Sequence, residues 1–227
     1  MPNTVLIIGA SRGLGLGLVE QFSRDGWQVI ATVRDPQRAE ELKAVEDIRI
    51  ETLDIDDAAS VDALAQRLSG ITLDVLYINA GISGSRTLSA DTATDEDVRR
   101  LFVTNAIAPV RLAQRMRALV DPRMGVITFM SSIMGSVETG PGMGMPLYGA
   151  SKAALNHLTR TFVAELGEDT GLTVLSMHPG WVKTDMGGAE APLDIETSCR
   201  GMVKQVKRAA GQRGHRFIDY QGEALPW

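Results

Sequence analysis

Residues 4–15, TVLIIGASRGLG, combine a strand, a glycine-rich turn and the start of a helix. Thr4–Gly9 is a short apolar run rich in β-branched side chains, which predicts a buried strand. From Gly13 to about Asp25 the apolar residues recur at helical spacing, and Gly26 ends the pattern. A strand followed by a tight turn and a helix is the first unit of a sheet whose helices lie on its faces.

The rest of the chain repeats this alternation. The predicted strands are Thr4–Gly9, Gln28–Val33, Ile48–Leu53, Leu73–Ile78, Gly125–Met130, Leu172–Met177 and His215–Ile218. The predicted helices are Gly13–Asp25, Gln37–Val45, Asp57–Leu68, Thr94–Val120, Leu147–Gly167 and Ile195–Ala210. Nearly continuous apolar strands between helices are typical of a parallel sheet covered on both faces. The sequence therefore predicts an α/β fold: one Rossmann-type, doubly wound domain over residues 1–227, with a parallel sheet of about seven strands.

Composition excludes several classes of function. The chain has 227 residues, of which 44% are apolar and 22% charged, as expected of a globular protein with one full core. A net charge of −5 without a Lys/Arg block argues against a nucleic-acid partner. The single cysteine, Cys199, and three dispersed histidines predict no disulfide and no metal site, and favour a reducing compartment. With no apolar run near the roughly 20 residues of a membrane span and no cleavage signal, we expect no membrane partner and a cytoplasmic location.

The loop Gly9-Ala10-Ser11-Arg12-Gly13-Leu14-Gly15 predicts a dinucleotide site. Glycines between a first strand and a helix let main-chain N–H groups approach a phosphate at the helix N-terminus. An ordinary tight turn is the alternative, because the spacing G-x-x-x-G-x-G differs from the common G-x-G-x-x-G fingerprint. No Gly-Lys-Ser/Thr follows, which excludes the phosphate-binding loop of nucleoside triphosphatases.

The end of the second strand favours NADP(H) over NAD(H). Proteins that bind NAD(H) usually place an acid there for the ribose 2′-hydroxyl, whereas an arginine accommodates a 2′-phosphate. Here Val33 occupies the position of the acid, Arg34 follows it, and Arg12 lies in the glycine loop. Two guanidinium groups can pair with a dianionic phosphate. NAD(H) stays the alternative, because Asp35 could turn inward and Arg34 could be a solvated strand end.

Tyr148 and Lys152 lie four residues apart at the start of a predicted helix, so they share one helix face. A phenol has an unperturbed pKa of about 10, and a fixed ammonium beside it favours the phenolate. The pair therefore indicates proton transfer to or from a substrate oxygen. Chance spacing is the alternative, and the neighbouring motifs decide between the two.

These features resemble the short-chain dehydrogenase/reductase family along nearly the whole chain. The matching motifs, in order, are Gly9-x-x-x-Gly13-x-Gly15, Asp54-Ile55, Asn79-Ala80-Gly81, Asn105, Ser131-Ser132, Tyr148-x-x-x-Lys152, Pro179-Gly180, Val182 and Thr184. Tyr148 follows Ser132 by sixteen residues, which is longer than the family's usual spacing. This spacing and the C-terminal segment 217–227 resemble a C-factor/Sniffer-type carbonyl reductase branch. Ser132 is preferred to Ser131 because it matches the second serine of the family's strand-end pair.

The resemblance implies hydride transfer between a nicotinamide cofactor and a carbonyl or alcohol carbon. It implies that Tyr148 is the general acid/base, that Ser132 hydrogen-bonds the substrate oxygen and that Lys152 lowers the tyrosine pKa. Asn105 would anchor a water that links the lysine to solvent. The implied cofactor-binding residues, beside the tyrosine and the lysine, are Gly9, Ser11, Arg12, Gly13, Leu14, Gly15, Arg34, Asp54, Ile55, Asn79, Ala80, Gly81, Pro179, Gly180, Val182 and Thr184.

The resemblance leaves the substrate and the assembly open. A ketone, aldehyde or quinone, or the corresponding alcohol, would be the small-molecule substrate, and the two long helices could pair in a homodimer or homotetramer. Two rival hypotheses are an NAD(P)-binding signalling or regulatory protein of the C-factor type and a structural protein with a vestigial site. Three of the site residues also have a purely structural interpretation. Ser132 could cap a strand end, Asn105 could satisfy buried main-chain groups, and Lys152 could be a solvated helix residue.

Overall fold

The computed structural model describes residues 2–167 and 170–227 and, of Arg38, the main chain. Its sheet has seven parallel strands in the order β3-β2-β1-β4-β5-β6-β7. The strands are β1 (Thr4–Ile8), β2 (Gln28–Val33), β3 (Ile48–Thr52), β4 (Val75–Ile78), β5 (Val126–Met130), β6 (Thr173–His178) and β7 (Gly214–Asp219). The predicted doubly wound sheet is confirmed.

Helices cover both faces of this sheet. They are α1 (Gly13–Arg24), α2 (Glu40–Lys43), α3 (Ala58–Arg67), α4 (Asp95–Phe102), α5 (Ala108–Met116), α6 (Pro146–Leu166) and α7 (Ile195–Ala209). Along β1, Val5 and Ile7 belong to the core shared with α1 and α7, whereas Leu6 and Ile8 belong to the core shared with α3, α5 and α6. This alternation follows from the two-residue period of a strand and explains the continuous apolar runs. No helix in the described part of the chain is long and apolar enough to cross a membrane.

Two helices that the sequence predicts as continuous are interrupted in the structure, so these two predictions are wrong. The prediction Gln37–Val45 becomes a 3₁₀ turn, Pro36–Arg38, and the four-residue α2, because Ala39 leaves the helical conformation and is buried in the core. The prediction Thr94–Val120 becomes α4, a π turn at Val103–Ile107, α5 and a 3₁₀ turn. Pro109 accounts for the π turn, since a proline has no N–H for the carbonyl four residues earlier and its ring clashes with that carbonyl.

The C-terminal segment 223–227 covers the edge strand β7. Leu225 donates its N–H to the carbonyl of Phe217, and the Trp227 ring centroid lies 4.7 Å from that of His215. The main-chain oxygen of Trp227 accepts a hydrogen bond from the N–H of Val137, at 3.1 Å. The segment thereby closes an open sheet edge and contacts the loop between β5 and α6.

Two half-buried histidines predict a loss of stability in mild acid. Burial lowers the pKa of His178 and of His215 to about 4. An unfolded histidine titrates near about 6.5. Between these values the unfolded chain binds more protons than the folded one, so stability is fully present above about pH 6.5 and is lost as the pH falls toward 4. We expect the free energy of unfolding to fall by about 2 kcal/mol per histidine between pH 7 and pH 5.

Urea unfolding at a series of pH values checks this prediction. His215→Gln should make the dependence shallower between pH 7 and pH 5, because glutamine does not titrate. His157→Gln is the matched control, since His157 is exposed on α6. An unchanged dependence in His215→Gln would contradict the prediction.

Candidate active site

A cleft of about 1100 Å³ opens at the carboxyl ends of the strands. It lies where the strand order reverses between β1 and β4, the position at which doubly wound sheets bind their ligands. The predicted site residues that line it are Gly9, Ser11, Arg12, Gly13, Leu14, Arg34, Asp54, Ile55, Asn79, Ala80, Gly81, Tyr148, Lys152, Pro179 and Thr184. Five further predicted residues, Gly15, Asn105, Ser132, Gly180 and Val182, are not part of this lining.

The glycine loop is packed tightly against the end of β4. An ideal Cβ on Gly9 would lie 2.9 Å from the Cα of Ala80, and one on Gly15 would lie 2.0 Å from the main-chain oxygen of Gly9. The Asn79 side chain donates to that same oxygen at 2.7 Å. These contacts require glycine at both positions and hold the N-terminus of α1 at the cleft. Arg12 occupies the N-cap position of α1, but its side chain accepts no hydrogen bond from the first N–H groups of the helix.

The two arginines of the predicted phosphate site belong to neighbouring segments of the cleft, the glycine loop and the end of β2. Arg34 is exposed at the end of β2, whereas Val33 is buried in the core. Nη1 of Arg12 lies 3.4 Å from Oδ2 of Asp185. Asp35, which the NAD(H) alternative requires, is exposed and accepts a hydrogen bond from the N–H of Gln37 at 2.9 Å. Its carboxylate therefore caps the 3₁₀ turn after β2.

Tyr148 and Lys152 lie on the first two turns of α6 and line the same cleft. Nζ of Lys152 lies 5.7 Å from the centroid of the Tyr148 ring and donates to the Met130 carbonyl at 2.8 Å. Burial raises the pKa of Tyr148 to about 12, although a hydrogen bond with Ser132 acts to lower it. Burial also lowers the pKa of Lys152 to about 8. Desolvation is the larger of the two effects on the phenol, so its pKa lies above the ordinary value. The lowering of this pKa by Lys152 stays a prediction.

The structure separates the two serines at the end of β5. Ser132 hydrogen-bonds Tyr148 and accepts from the N–H of Met134 at 3.2 Å, as the N-cap of a 3₁₀ turn. Ser131 donates to Oδ1 of Asn156 at 2.7 Å, and both side chains are buried. Ser131 lines the cleft and Ser132 does not, but Ser132 is the serine that interacts with the tyrosine.

Asn105 is fully buried in the π turn, and its side chain is engaged by the protein itself. Oδ1 accepts from the N–H of Ile82 at 2.9 Å, and Nδ2 donates to the Ile82 carbonyl at 2.8 Å and to Oγ of Ser151 at 3.0 Å. An ideal Cβ on Gly81 would lie 3.3 Å from Oδ1 of Asn105 and 3.4 Å from Nζ of Lys152. Asn105 therefore holds the main chain of Ile82 beside the lysine. Its role in anchoring a water stays a prediction.

Residues 183–192, which we call the lid, form one side of the cleft. The lid is closed at its base by hydrogen bonds of Leu193 with Trp181 and Lys183. Within it, Oγ1 of Thr184 accepts from the N–H of Gly187 at 3.0 Å. Two contacts fix the base of the lid. Val182 forms an isolated parallel β-bridge with Leu193. The carbonyl of Pro179, which precedes Gly180, accepts a hydrogen bond from the Ser198 hydroxyl.

Sequence reasoning missed several residues that shape this site. Arg86, on the loop after β4, donates to the Met186 carbonyl in the lid at 2.6 Å. Asp185 and Ser151 also lie at the site, and both stand directly beside predicted residues, Thr184 and Lys152. Adjacency to a motif could have indicated these two, whereas nothing in the pattern around Arg86 indicates its contact.

Comparison with known proteins identifies the family. Residues 3–192 match the family model described as short chain dehydrogenase. The chain belongs to the short-chain dehydrogenase/reductase family. It is therefore an oxidoreductase of that family, as the order of its motifs predicted.

Individual members of the family extend this similarity. The C-signal protein of Myxococcus xanthus is 39% identical over 158 residues, covering 68% of this chain and 93% of that protein. A carbonyl reductase of Pseudomonas aeruginosa PAO1, solved in complex with NADP, is 43% identical with a TM-score of 0.92, covering all of both chains. The carbonyl reductase Sniffer of D. melanogaster is 31% identical with a TM-score of 0.90 and the same full coverage. The predicted resemblance to the C-factor/Sniffer-type branch is confirmed.

Proposed function

We propose that this short-chain dehydrogenase is an NADP(H)-dependent carbonyl reductase, which reduces a ketone, aldehyde or quinone to an alcohol. The observation that carries the proposal is that Tyr148 and Lys152 line the same cleft as the glycine loop, with Ser132 hydrogen-bonded to the tyrosine. The NADP bound by the Pseudomonas carbonyl reductase supports the cofactor. All seven strands belong to one sheet, so the whole chain would act as one dinucleotide-binding domain.

The residues present fit a dinucleotide with a 2′-phosphate. The N-terminus of α1 is without a side-chain cap, so its first N–H groups suit a phosphate. Arg12 and Arg34 both line the cleft and supply guanidinium groups for the 2′-phosphate. The adenosine half would be held by Asp54, Ile55, Asn79, Ala80 and Gly81, and the nicotinamide half by Tyr148, Lys152, Pro179, Gly180, Val182 and Thr184.

The chain's own residues supply the proton. When bound, a nicotinamide cofactor would supply the hydride for the carbonyl carbon. Tyr148 donates its proton to the carbonyl oxygen, and a pKa of about 12 keeps that proton on the phenol at neutral pH. Ser132 donates a hydrogen bond to the oxygen on which negative charge develops. Lys152, whose Nζ lies 5.7 Å from the centroid of the Tyr148 ring, would then stabilise the phenolate by Coulomb attraction, and Asn105 would act as a positioning residue through Ile82 and Ser151.

A panel of quinones, aldehydes and ketones, assayed with both NADPH and NADH, tests this function. We expect turnover of at least one class, with a kcat/KM at least about tenfold higher for NADPH, because each guanidinium contact to a phosphate contributes a charge-assisted hydrogen bond. NADPH binding without turnover of any carbonyl would favour the regulatory alternative. Failure of both cofactors to bind in a calorimeter would favour a vestigial site.

The same proposal includes a cytoplasmic location and association of the chain with copies of itself. A single buried cysteine fits a reducing cytoplasm. Val98 on α4 and Ile107 in the π turn expose 37% and 44% of their surfaces. These apolar side chains support association of copies of the chain into a homodimer or homotetramer through the α4–α5 segment and α6.

The two serines at the end of β5 should respond differently to alanine. We expect Ser132→Ala to lower kcat/KM for the carbonyl by about 10²-fold, because one hydrogen-bond donor to the developing oxyanion is lost. Ser131→Ala, once folded, should keep a kcat/KM within a few-fold of that of the unsubstituted protein. It should instead lower the free energy of unfolding by about 1–3 kcal/mol, because Asn156 loses a buried partner. NADPH oxidation and urea unfolding of both variants separate the two effects, and an equal loss of activity in Ser131→Ala would contradict the assignment.

A further inference from the structure

The cleft contains an ion pair that the proposed reaction does not use. Nη1 of Arg12 lies 3.4 Å from Oδ2 of Asp185, and both residues line the cleft. Arg12 belongs to the glycine loop, whereas Asp185 belongs to the lid. The pair therefore joins the two segments across the mouth of the cofactor site.

The lid presents this carboxylate from an ordered turn. Thr184, which directly precedes Asp185, accepts two hydrogen bonds from residues that follow Asp185. Its hydroxyl accepts from the N–H of Gly187, and its carbonyl accepts from the N–H of Gly188. Arg86, on the loop after β4, donates a hydrogen bond to the carbonyl of Met186, the residue after Asp185. The negative charge of Asp185 is therefore kept near Arg12 by the lid's own structure.

We propose that Asp185 is a built-in competitor of the cofactor's 2′-phosphate for Arg12. The inference rests on the proposed NADP(H) function, in which Arg12 and Arg34 together bind that phosphate. Arg12 cannot place the same guanidinium edge on Asp185 and on a phosphate at the β2 end of the cleft, so binding exchanges one anion for the other. Because the ion pair must break, a cofactor that carries the 2′-phosphate binds less tightly than it would without Asp185.

The size and the selectivity of this effect follow from exposure and charge. The side chains of Arg12 and Asp185 are 77% and 83% exposed, so solvent screens the pair. An exposed pair contributes less than about 1 kcal/mol, which limits the effect on affinity to about fivefold. NADH has no 2′-phosphate, so its affinity should not depend on this competition. Asp185 thus lowers the affinity for NADPH selectively.

Calorimetric dissociation constants of NADPH and NADH test the proposal in a double-mutant cycle. Asp185→Asn should bind NADPH about three- to fivefold more tightly, with NADH unchanged within error. In the Arg12→Gln background, the same substitution should have no effect, because the guanidinium for which the anions compete is absent. Glu190→Gln is the matched control, since it removes the same charge from an exposed position further along the lid. Added salt should reduce the gain in Asp185→Asn.

An equal gain for NADH, a gain that persists in Arg12→Gln, or an equal gain in Glu190→Gln would overturn the proposal. Unchanged NADPH affinity in Asp185→Asn, with normal binding by the unsubstituted protein, would overturn this inference alone. Binding of neither cofactor by the unsubstituted protein would overturn the proposed function and this inference with it.

Discussion

Tyr148→Phe should lower kcat for carbonyl reduction by about 10³-fold while NADPH still binds with nearly normal affinity. The substitution removes only the hydroxyl, which is the group that carries the transferred proton in the proposed reaction. The ring, its place on α6 and its distance from the lysine stay the same. Loss of the hydrogen bond with Ser132 should lower the free energy of unfolding by only about 1 kcal/mol. NADPH oxidation and calorimetric NADPH binding on the same preparation measure the two effects.

Tyr77→Phe is the matched control for this experiment. The Tyr77 hydroxyl donates to Sδ of Met202 at 3.2 Å, inside the core shared with α7 and away from the cleft lining. Removing it makes the same chemical change in a fully buried tyrosine and should leave turnover intact. Near-normal turnover by Tyr148→Phe would contradict the proposed acid, whatever the control does.

Gly15→Ala should destroy the cofactor site through packing alone. A Cβ at this position would lie 2.0 Å from the Gly9 carbonyl oxygen and 2.8 Å from Nδ2 of Asn79. Main-chain atoms cannot yield as a flexible side chain can, so α1 must move away from β1. We expect the free energy of unfolding to fall by about 3 kcal/mol. The Kd for NADPH should rise by about 10²-fold, because a displacement of about 1 Å misplaces the binding groups.

Gly13→Ala introduces backbone strain into the same loop without a steric clash, so it is the control for Gly15→Ala. Gly13 has a φ of 56°, but its Cβ would meet only Cγ2 of Thr184, at 3.8 Å. The substitution should therefore cost about 1–2 kcal/mol, the strain of a left-handed residue. Urea unfolding and NADPH calorimetry should show a smaller loss than in Gly15→Ala; equal losses would contradict the packing argument.

The sequence predicted the sheet and the location of the site because both depend on local patterns. Each strand is an apolar run flanked by turn residues, and parallel strands place their carboxyl ends at one edge. Residues that follow those ends, such as Asn79, Ser132 and Thr184, are therefore expected near the cleft. The structure adds that Ser132, rather than Ser131, hydrogen-bonds Tyr148, a distinction that depends on which serine caps the turn after β5.

Other features depend on contacts between distant segments and could not be predicted. Arg86 and Met186 are a hundred residues apart in the chain, and their hydrogen bond follows no periodicity. The pKa of Tyr148 depends on how deeply the cleft walls cover the phenol, which spacing to Lys152 does not reveal. Pro109 was available as a signal for the interrupted helix, but the apolar spacing on both sides of it suggested a continuous one.

The π turn at Val103–Ile107 holds one residue more than an α turn would between α4 and α5. A π turn closes its hydrogen bond one residue later than an α turn, so one wide turn takes up the extra residue. Deleting a single residue here would restore the α repeat and leave the two helices near their present rotational phase, with Leu101 of α4 and Leu112 of α5 still buried. The cost of such a deletion would fall on the wide turn itself, because Asn105 would lose its place beside Ile82.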